Sequence, residues 1–115
     1  MFTITKEIEI SASHRLDLTY KSKCSNLHGH NWHILVKCRS EELNENGMVY
    51  DFSHIKQIIM EQLDHQDISK KIIINGSIKN PTAENIAYWI SKQIGDTCSE
   101  VQVEESDGNI AIWSK

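Results

Sequence analysis

The sequence predicts an α+β domain: an antiparallel β-sheet with two helices packed on one face. Two observations carry the prediction. Apolar residues alternate with period two near both ends of the chain and recur at helical spacing in the middle. The strand segments are joined by turn signals of hairpin type rather than by crossovers, which favours antiparallel pairing with segregated helices. At 115 residues the chain forms one domain spanning 1–115, since it is too short for two cores of ordinary size.

The elements follow in order. Phe2, Ile4, Ile8 and Ile10 alternate with Thr3, Thr5, Glu7 and Glu9, the pattern of a half-buried strand. Residues 11–27 carry no clean period and are expected as a loop. A second alternation puts Trp32, Ile34, Val36 and Cys38 on one face and His33, Leu35, Lys37 and Arg39 on the other. Asn44-Glu45-Asn46-Gly47 reads as a turn, with a short strand resuming over 48–51. Ile55, Ile58, Ile59 and Leu63 then fall at helical spacing, with Ser53 expected as the N-cap. The run Ile72-Ile73-Ile74 ends at Asn75-Gly76. Asn80-Pro81-Thr82 leads into a second helix through Ile86, Trp89, Ile90 and Ile94, closed by Gly95. Val101, Val103 and Glu105 share one face of the next strand. Asp107-Gly108 supplies a tight turn, and Ile110 and Ile112 alternate in the return strand. The sheet face without helices is expected to need cover from another subunit.

Composition narrows the function. Hydrophobic residues at 39% and charged residues at 24% fit a soluble globular domain and argue against disorder. A formal charge of −4 argues against nucleic acid as the main ligand, which needs a local excess of Lys and Arg. No apolar run approaches the roughly 20 residues that span a bilayer. MFTITKEIEI lacks a basic n-region and a continuous apolar stretch, so it does not read as a signal peptide, and the cytoplasm is the expected compartment. Three cysteines, Cys24, Cys38 and Cys98, argue against a disulfide framework and for reduced thiols.

Six histidines invite a search for a metal or acid–base site. The sharpest local feature is Cys24-Ser25-Asn26-Leu27-His28-Gly29-His30. In an extended chain, His28 and His30 point the same way. Two imidazoles rarely suffice for tight zinc binding, and His14, just beyond the end of the first strand, is the natural third ligand. Three neutral imidazoles with an open fourth position is a pattern of catalytic zinc. Spacing alone leaves metal binding and ordinary surface histidines both open. It also leaves Cys24 open as a fourth ligand that closes a structural site, as a buried thiol, or as an acid–base group beside the metal.

Asp64-His65 can act as a dyad in which the carboxylate orients the imidazole. Adjacent helical residues point about 100° apart, so a dyad requires a non-helical turn there. The alternative is a favourable histidine at a helix C-terminus. Glu105 extends the apolar Val101, Val103 face, where an unpaired carboxylate is costly. It must be paired, lie at the end of the sheet, or accept hydrogen bonds from a ligand. A flat heterocycle bearing an amino group beside a ring N–H suits it. A solvated residue at the hairpin end is the alternative.

Together these residues resemble the 6-pyruvoyltetrahydropterin synthase / 6-carboxytetrahydropterin synthase family. The matching pieces run nearly end to end: Ser13-His14-Arg15-Leu16, Cys24 to His30, Gly47-Met48-Val49 with Asp51-Phe52 and Lys56, Leu63-Asp64-His65, Asn80-Pro81-Thr82-Ala83-Glu84-Asn85, and the stretch from Val103 to Ile110. The resemblance implies that His14, His28 and His30 hold zinc and that Cys24 is the catalytic thiol. It implies that Asp64 and His65 form a partner dyad supplied by a neighbouring subunit. Glu105 would anchor the pterin ring, and Thr82 would line its pocket. The implied fold is the tunnelling fold, whose subunits join edge to edge into trimeric barrels that stack as hexamers.

The implied substrate is 7,8-dihydroneopterin triphosphate, a small molecule, with neither nucleic acid nor membrane as partner. The spacing Cys-x-x-x-His-Gly-His resembles the bacterial branch that feeds queuosine biosynthesis, whose members form 6-carboxytetrahydropterin and acetaldehyde with release of triphosphate. The animal branch stops at the 6-pyruvoyl product and has a longer gap between Cys and the first His. Cys24 argues against the related folate-pathway branch, which carries Glu there. Animal members have a second threonine where Ala83 stands. Arg15, Lys21 and Lys23 are assigned no role, and His33 and His54 are expected as structural or surface residues. A reading of another class, a non-catalytic zinc-stabilised module with Cys24 as fourth ligand, predicts that Cys24→Ala loses zinc and unfolds.

Overall fold

Two long strands dominate the domain. In the computed structural model, which describes residues 1–115, β1 (Phe2–His14) and β2 (His28–Ser40) pair antiparallel without a slip from Phe2↔Ser40 to His14↔His28. Helix α1 (Phe52–Leu63) follows. A small hairpin comes next, β3 (Ile73–Ile74) and β4 (Ser77–Ile78), then helix α2 (Ala83–Ile94). Strands β5 (Cys98–Ser106) and β6 (Asn109–Ser114) complete an antiparallel sheet of order β1-β2-β5-β6. Asn75 and Gly76 both take positive φ, as the two-residue turn between β3 and β4 requires. No helix is long and apolar enough to cross a membrane.

The alternation places the core. Ile8, Ile10 and Ala12 of β1, Trp32, Ile34, Val36 and Cys38 of β2, and Val101 and Val103 of β5 are all buried. They face Ile55, Ile59 and Leu63 of α1 and Ile86, Trp89, Ile90 and Ile94 of α2. Helix α1 lies over β1, and α2 over β5 and β6. The expected α+β architecture with both helices on one face is the observed one.

Four details differ from the sequence expectations. First, β1 continues to His14 rather than ending at Ile10. Ser13 N donates to Gln66 O, Ile68 N to Ser13 O and His65 N to Ser11 O, so the outer edge is paired where the apolar pattern fades. Second, no strand forms over 48–51. The Asn44 side chain accepts from both Asn46 N and Met48 N and winds the segment into a turn. Third, the N-cap of α1 is Asp51, not Ser53. Its carboxylate accepts from Ser53 N at 2.8 Å and Ser53 Oγ at 2.6 Å, a stronger acceptor than a hydroxyl at a helix N-terminus.

The fourth concerns the face without helices. It carries Thr3, Thr5, Glu7, Glu9, His33, Lys37, Arg39, Glu100 and Gln102, with Leu35, Ile110 and Ile112 as its apolar members. A face this polar needs no apolar cover. What the sheet leaves open is its two edges, the outer side of β1 before Ser11 and the outer side of β6.

The bulge at Ser99 turns Cys98 inward to face Cys38, and both thiols are buried and free.

Thr82 caps α2, its Oγ accepting from Asn85 N at 3.1 Å. Thr82→Ala is expected to cost about 1 kcal/mol, and Thr82→Ser to keep most of it. Thermal unfolding checks this as a drop of about 4 °C for Ala and little change for Ser.

Candidate metal centre and active site

The strand register alone assembles the histidines. His14 ends β1, and His28 opens β2 directly opposite it. His30 stands two residues on, opposite Ala12, so all three side chains leave the same face. Their ring centroids lie 4.6 to 5.2 Å apart, and one nitrogen from each ring lies within 4.8 Å of the other two. Trp32 backs the cluster, its ring 4.8 Å from His14 and 5.2 Å from His30, and its indole N–H donates to Ala12 O.

Backbone carbonyls set the tautomers. His14 Nδ1 lies 2.7 Å from Pro81 O, and His28 Nδ1 lies 2.7 Å from Asn26 O. A carbonyl only accepts, so Nδ1 carries the proton in both rings and Nε2 keeps its lone pair. The buried Nε2 atoms of His14 and His30 have no hydrogen-bond partner. Buried lone pairs without donors are costly, and converging ones define a place for a cation. Burial lowers the pKa of His14 and of His30 below the ordinary imidazole value, which favours the neutral, metal-binding form. The residues present therefore fit a metal ion held by three imidazoles.

Glu105 lies beside this cluster. The register slips between Glu104 and Ser106, leaving Glu105 as the extra residue of a bulge at the end of the sheet. Its Oε1 is 3.3 Å from His30 Nε2, close enough to act as a charge neighbour without hydrogen-bond geometry. Glu105 also lines an open cleft of about 470 Å³ with Ala83 and Glu84 at the start of α2 and Asn109 and Ile110 of β6. Thr82 does not line this cleft, and its neighbour Ala83 does.

Cys24 sits half-buried in a single 3-10 turn, Lys23–Ser25, that interrupts the loop between β1 and β2. Ser22 Oγ accepts from Cys24 N at 3.1 Å, and Cys24 O accepts from Leu16 N at 2.9 Å. The group of converging donor atoms comprises three imidazoles and no thiol.

Asp64 and His65 occupy the non-helical turn that a dyad needs. Asp64 ends α1 with extended backbone, and His65 takes φ 57. Asp64 Oδ1 accepts from Ser11 N at 2.9 Å, while Oδ2 lies 3.6 Å from His65 Nε2. The pair is thus pinned to the outer edge of β1. Within one chain it does not join the imidazole cluster, and His65 is 81% exposed.

Sequence reasoning missed the carbonyls of Pro81 and Asn26 and the supporting ring of Trp32. Backbone carbonyls leave no residue-type signal, and Trp32 reads as core in any alternation.

Fold and site define a class: a small α+β protein with a three-histidine cluster that could hold a metal ion at the end of its sheet. The family model described as 6-pyruvoyl tetrahydropterin synthase matches residues 3–115. The 6-carboxy-5,6,7,8-tetrahydropterin synthase of Synechocystis is 35% identical over 98 residues, covering 78% of this chain and 72% of the relative. The protein of the same name from Rickettsia bellii is 33% identical over 112 residues, covering 82% and 80%. The solved 6-pyruvoyl tetrahydropterin synthase of Caenorhabditis elegans superposes with a TM-score of 0.74 at 28% identity, covering 99% of this chain and 95% of that one. The chain belongs to the 6-pyruvoyl tetrahydropterin synthase family.

Proposed function

We propose that the chain is a zinc-dependent 6-carboxy-5,6,7,8-tetrahydropterin synthase. It would convert 7,8-dihydroneopterin triphosphate and water to 6-carboxytetrahydropterin, acetaldehyde and triphosphate. The observation that carries this reading is the open cluster of His14, His28 and His30, with two tautomers set by carbonyls and no thiol among its donors. The names of the 33–35% identical relatives support the carboxy-forming branch.

A zinc ion bound by the three imidazoles supplies Lewis-acid polarisation of substrate oxygens. Glu105, at the end of the sheet beside the cluster, accepts two parallel hydrogen bonds from the pterin amino group and ring N–H and so orients the heterocycle. Ala83 borders the ring from the start of α2, and Thr82 supports that border as the N-cap of the helix. Cys24, as thiolate, takes a proton from the substrate side chain. Asp64 orients His65 for the complementary transfer.

The position of the dyad on the outer edge of β1 supports its acting on a neighbouring subunit's substrate. Two free sheet edges support joining of subunits edge to edge, as a trimeric barrel and a stacked hexamer require. Sedimentation of a hexamer is the expected result. The polar composition of the face without helices is suited to a water-filled barrel interior. The pathway served would be queuosine biosynthesis, in the cytoplasm.

The test is the product. Zinc-loaded protein is incubated with 7,8-dihydroneopterin triphosphate and the pterin identified by mass spectrometry, with Cys24→Ala as control. The expected result is 6-carboxytetrahydropterin with acetaldehyde, absent in the control. A 6-pyruvoyl product moves the chain to the other branch. No turnover by folded, zinc-bound protein rejects the substrate. Glu105→Gln is expected to keep zinc and to lower kcat/KM about 100-fold, since it loses a charge-assisted pair of hydrogen bonds. Steady-state kinetics beside a zinc assay checks it.

A further inference from the structure

We propose that Asn80 is a positioning residue whose side-chain amide clamps the Cys24 loop to the segment that orients His14. The inference rests on the reading of Cys24 as the reacting thiol and extends it to a residue that touches neither metal nor substrate.

The clamp is double. Asn80 Oδ1 accepts from Asp17 N at 2.9 Å, and Asn80 Nδ2 donates to Asp17 O at 2.9 Å. One side chain thus pairs with both backbone groups of one residue, as a neighbouring strand would. Next to Asp17, Leu16 N donates to Cys24 O. The loop tip beyond, residues 18–21, makes no hydrogen bond to the rest of the chain, and Tyr20 is exposed. Asp17 is therefore the last anchored residue before the free tip that leads to Cys24.

Asn80 is itself held. Its carbonyl accepts from Asn85 Nδ2 at 2.9 Å, and Asn85 N donates to Thr82 Oγ, tying it to the first turn of α2. The next residue is Pro81, whose carbonyl orients His14. Adjacent residues of one rigid segment thus position a metal ligand and the thiol loop. Drift between them is limited by these two hydrogen bonds and by the Leu16 N–Cys24 O bond.

Only an amide supplies donor and acceptor in this geometry. Aspartate keeps the acceptor and sets a negative oxygen against Asp17 O, and alanine loses both bonds. Misplacing a reacting group by about 1 Å costs on the order of 100-fold in rate.

The experiment compares Asn80→Ala and Asn80→Asp with the wild-type full chain, zinc-loaded. Three quantities are measured: zinc per chain, kcat and KM, and the rate at which iodoacetamide alkylates Cys24, followed by peptide mass spectrometry. Alkylation is run near pH 9.5, where free thiols are largely ionised, so that the rate reports access to the sulfur. Buried Cys38 and Cys98 serve as internal controls for global opening.

The expected result for Asn80→Ala is unchanged zinc and a kcat lowered about 10- to 100-fold, with KM within about threefold. Cys24 alkylation is expected to be faster by about fivefold or more, with Cys38 and Cys98 still protected. Asn80→Asp should fall between on kcat and alkylation, and it serves where the alanine variant does not fold. Unchanged Cys24 alkylation in a folded variant overturns the clamp, even if kcat falls. Loss of zinc in step with kcat also overturns it, placing the effect on His14. Alkylation needs no turnover, so a wild-type protein that makes no product refutes the proposed reaction while the clamp is still tested.

Discussion

His14→Ala is expected to abolish stoichiometric zinc binding and, with it, the gain in stability that zinc brings to the wild-type chain. His14 is the only fully buried member of the cluster, and its Nε2 has no partner among the protein's own donors. An ion that satisfies these lone pairs binds the folded chain and not the unfolded one. At free zinc about 1,000 times the dissociation constant, mass action stabilises the fold by about 4 kcal/mol. For a chain of this size that raises Tm by roughly 15 °C. Chelation should lower the Tm of wild type by that amount and leave His14→Ala nearly unmoved.

Two imidazoles remain in the variant, which are too few to retain zinc against a chelator. Acid should also release the metal. Burial lowers the pKa of His14 and His30 below the ordinary value, so both stay neutral through neutral pH. Protons therefore compete only once pH falls below the ordinary imidazole value of about 6.5. Scanning calorimetry with and without chelator, and zinc content against pH, check both statements. A chelator-insensitive Tm in the wild type would refute them.

Cys24→Ala is expected to lower kcat by about 1,000-fold or more while zinc content and Tm stay near wild type. The direction separates two chemistries. A thiolate that closes a fourth coordination position takes the metal and fold with it when removed. A thiolate that moves a proton takes only the rate, and general acid–base catalysis is commonly worth about 100- to 10,000-fold. The converging donors are three imidazoles, and Cys24 stands in a separate 3-10 turn held by Ser22 and Leu16. Retained zinc with lost turnover is thus the expected pair of results. Zinc loss on Cys24→Ala would establish the structural module instead.

Much of the architecture was legible because the burial periods are strong. The alternation from Trp32 to Arg39 and the helical spacing of Ile55, Ile59 and Leu63 predict the sides that are buried. The turn at Asp107-Gly108 is the expected hairpin, with Gly108 at positive φ, while Asn75 and Gly76, both at positive φ, close a second hairpin where the sequence marks only the end of an apolar run. What failed lay where side chain and backbone compete locally. Asn44 gathers amides that would otherwise extend a strand, and Asp51 outcompetes Ser53 for the helix start. The polar character of the uncovered face was present in Glu7, Glu9, Lys37 and Arg39. That the sheet leaves its two edges free emerged only from the strand order.

By itself the sequence determined the residue types of the candidate site, the strand and helix periods, and the His-x-His spacing that aims two imidazoles the same way. These are local properties, set by bonds within a few residues of one another. Tertiary structure decided the rest. It put His14 opposite His28 through strand register and turned its Nδ1 toward Pro81, 67 residues away in sequence. It placed Glu105 beside His30 through a bulge and carried Asp64 and His65 to the outer edge of β1. The physical reason is that these contacts depend on hydrogen bonds of backbone groups. Every residue except proline carries the same N–H and C=O, so the sequence marks none of them as partners.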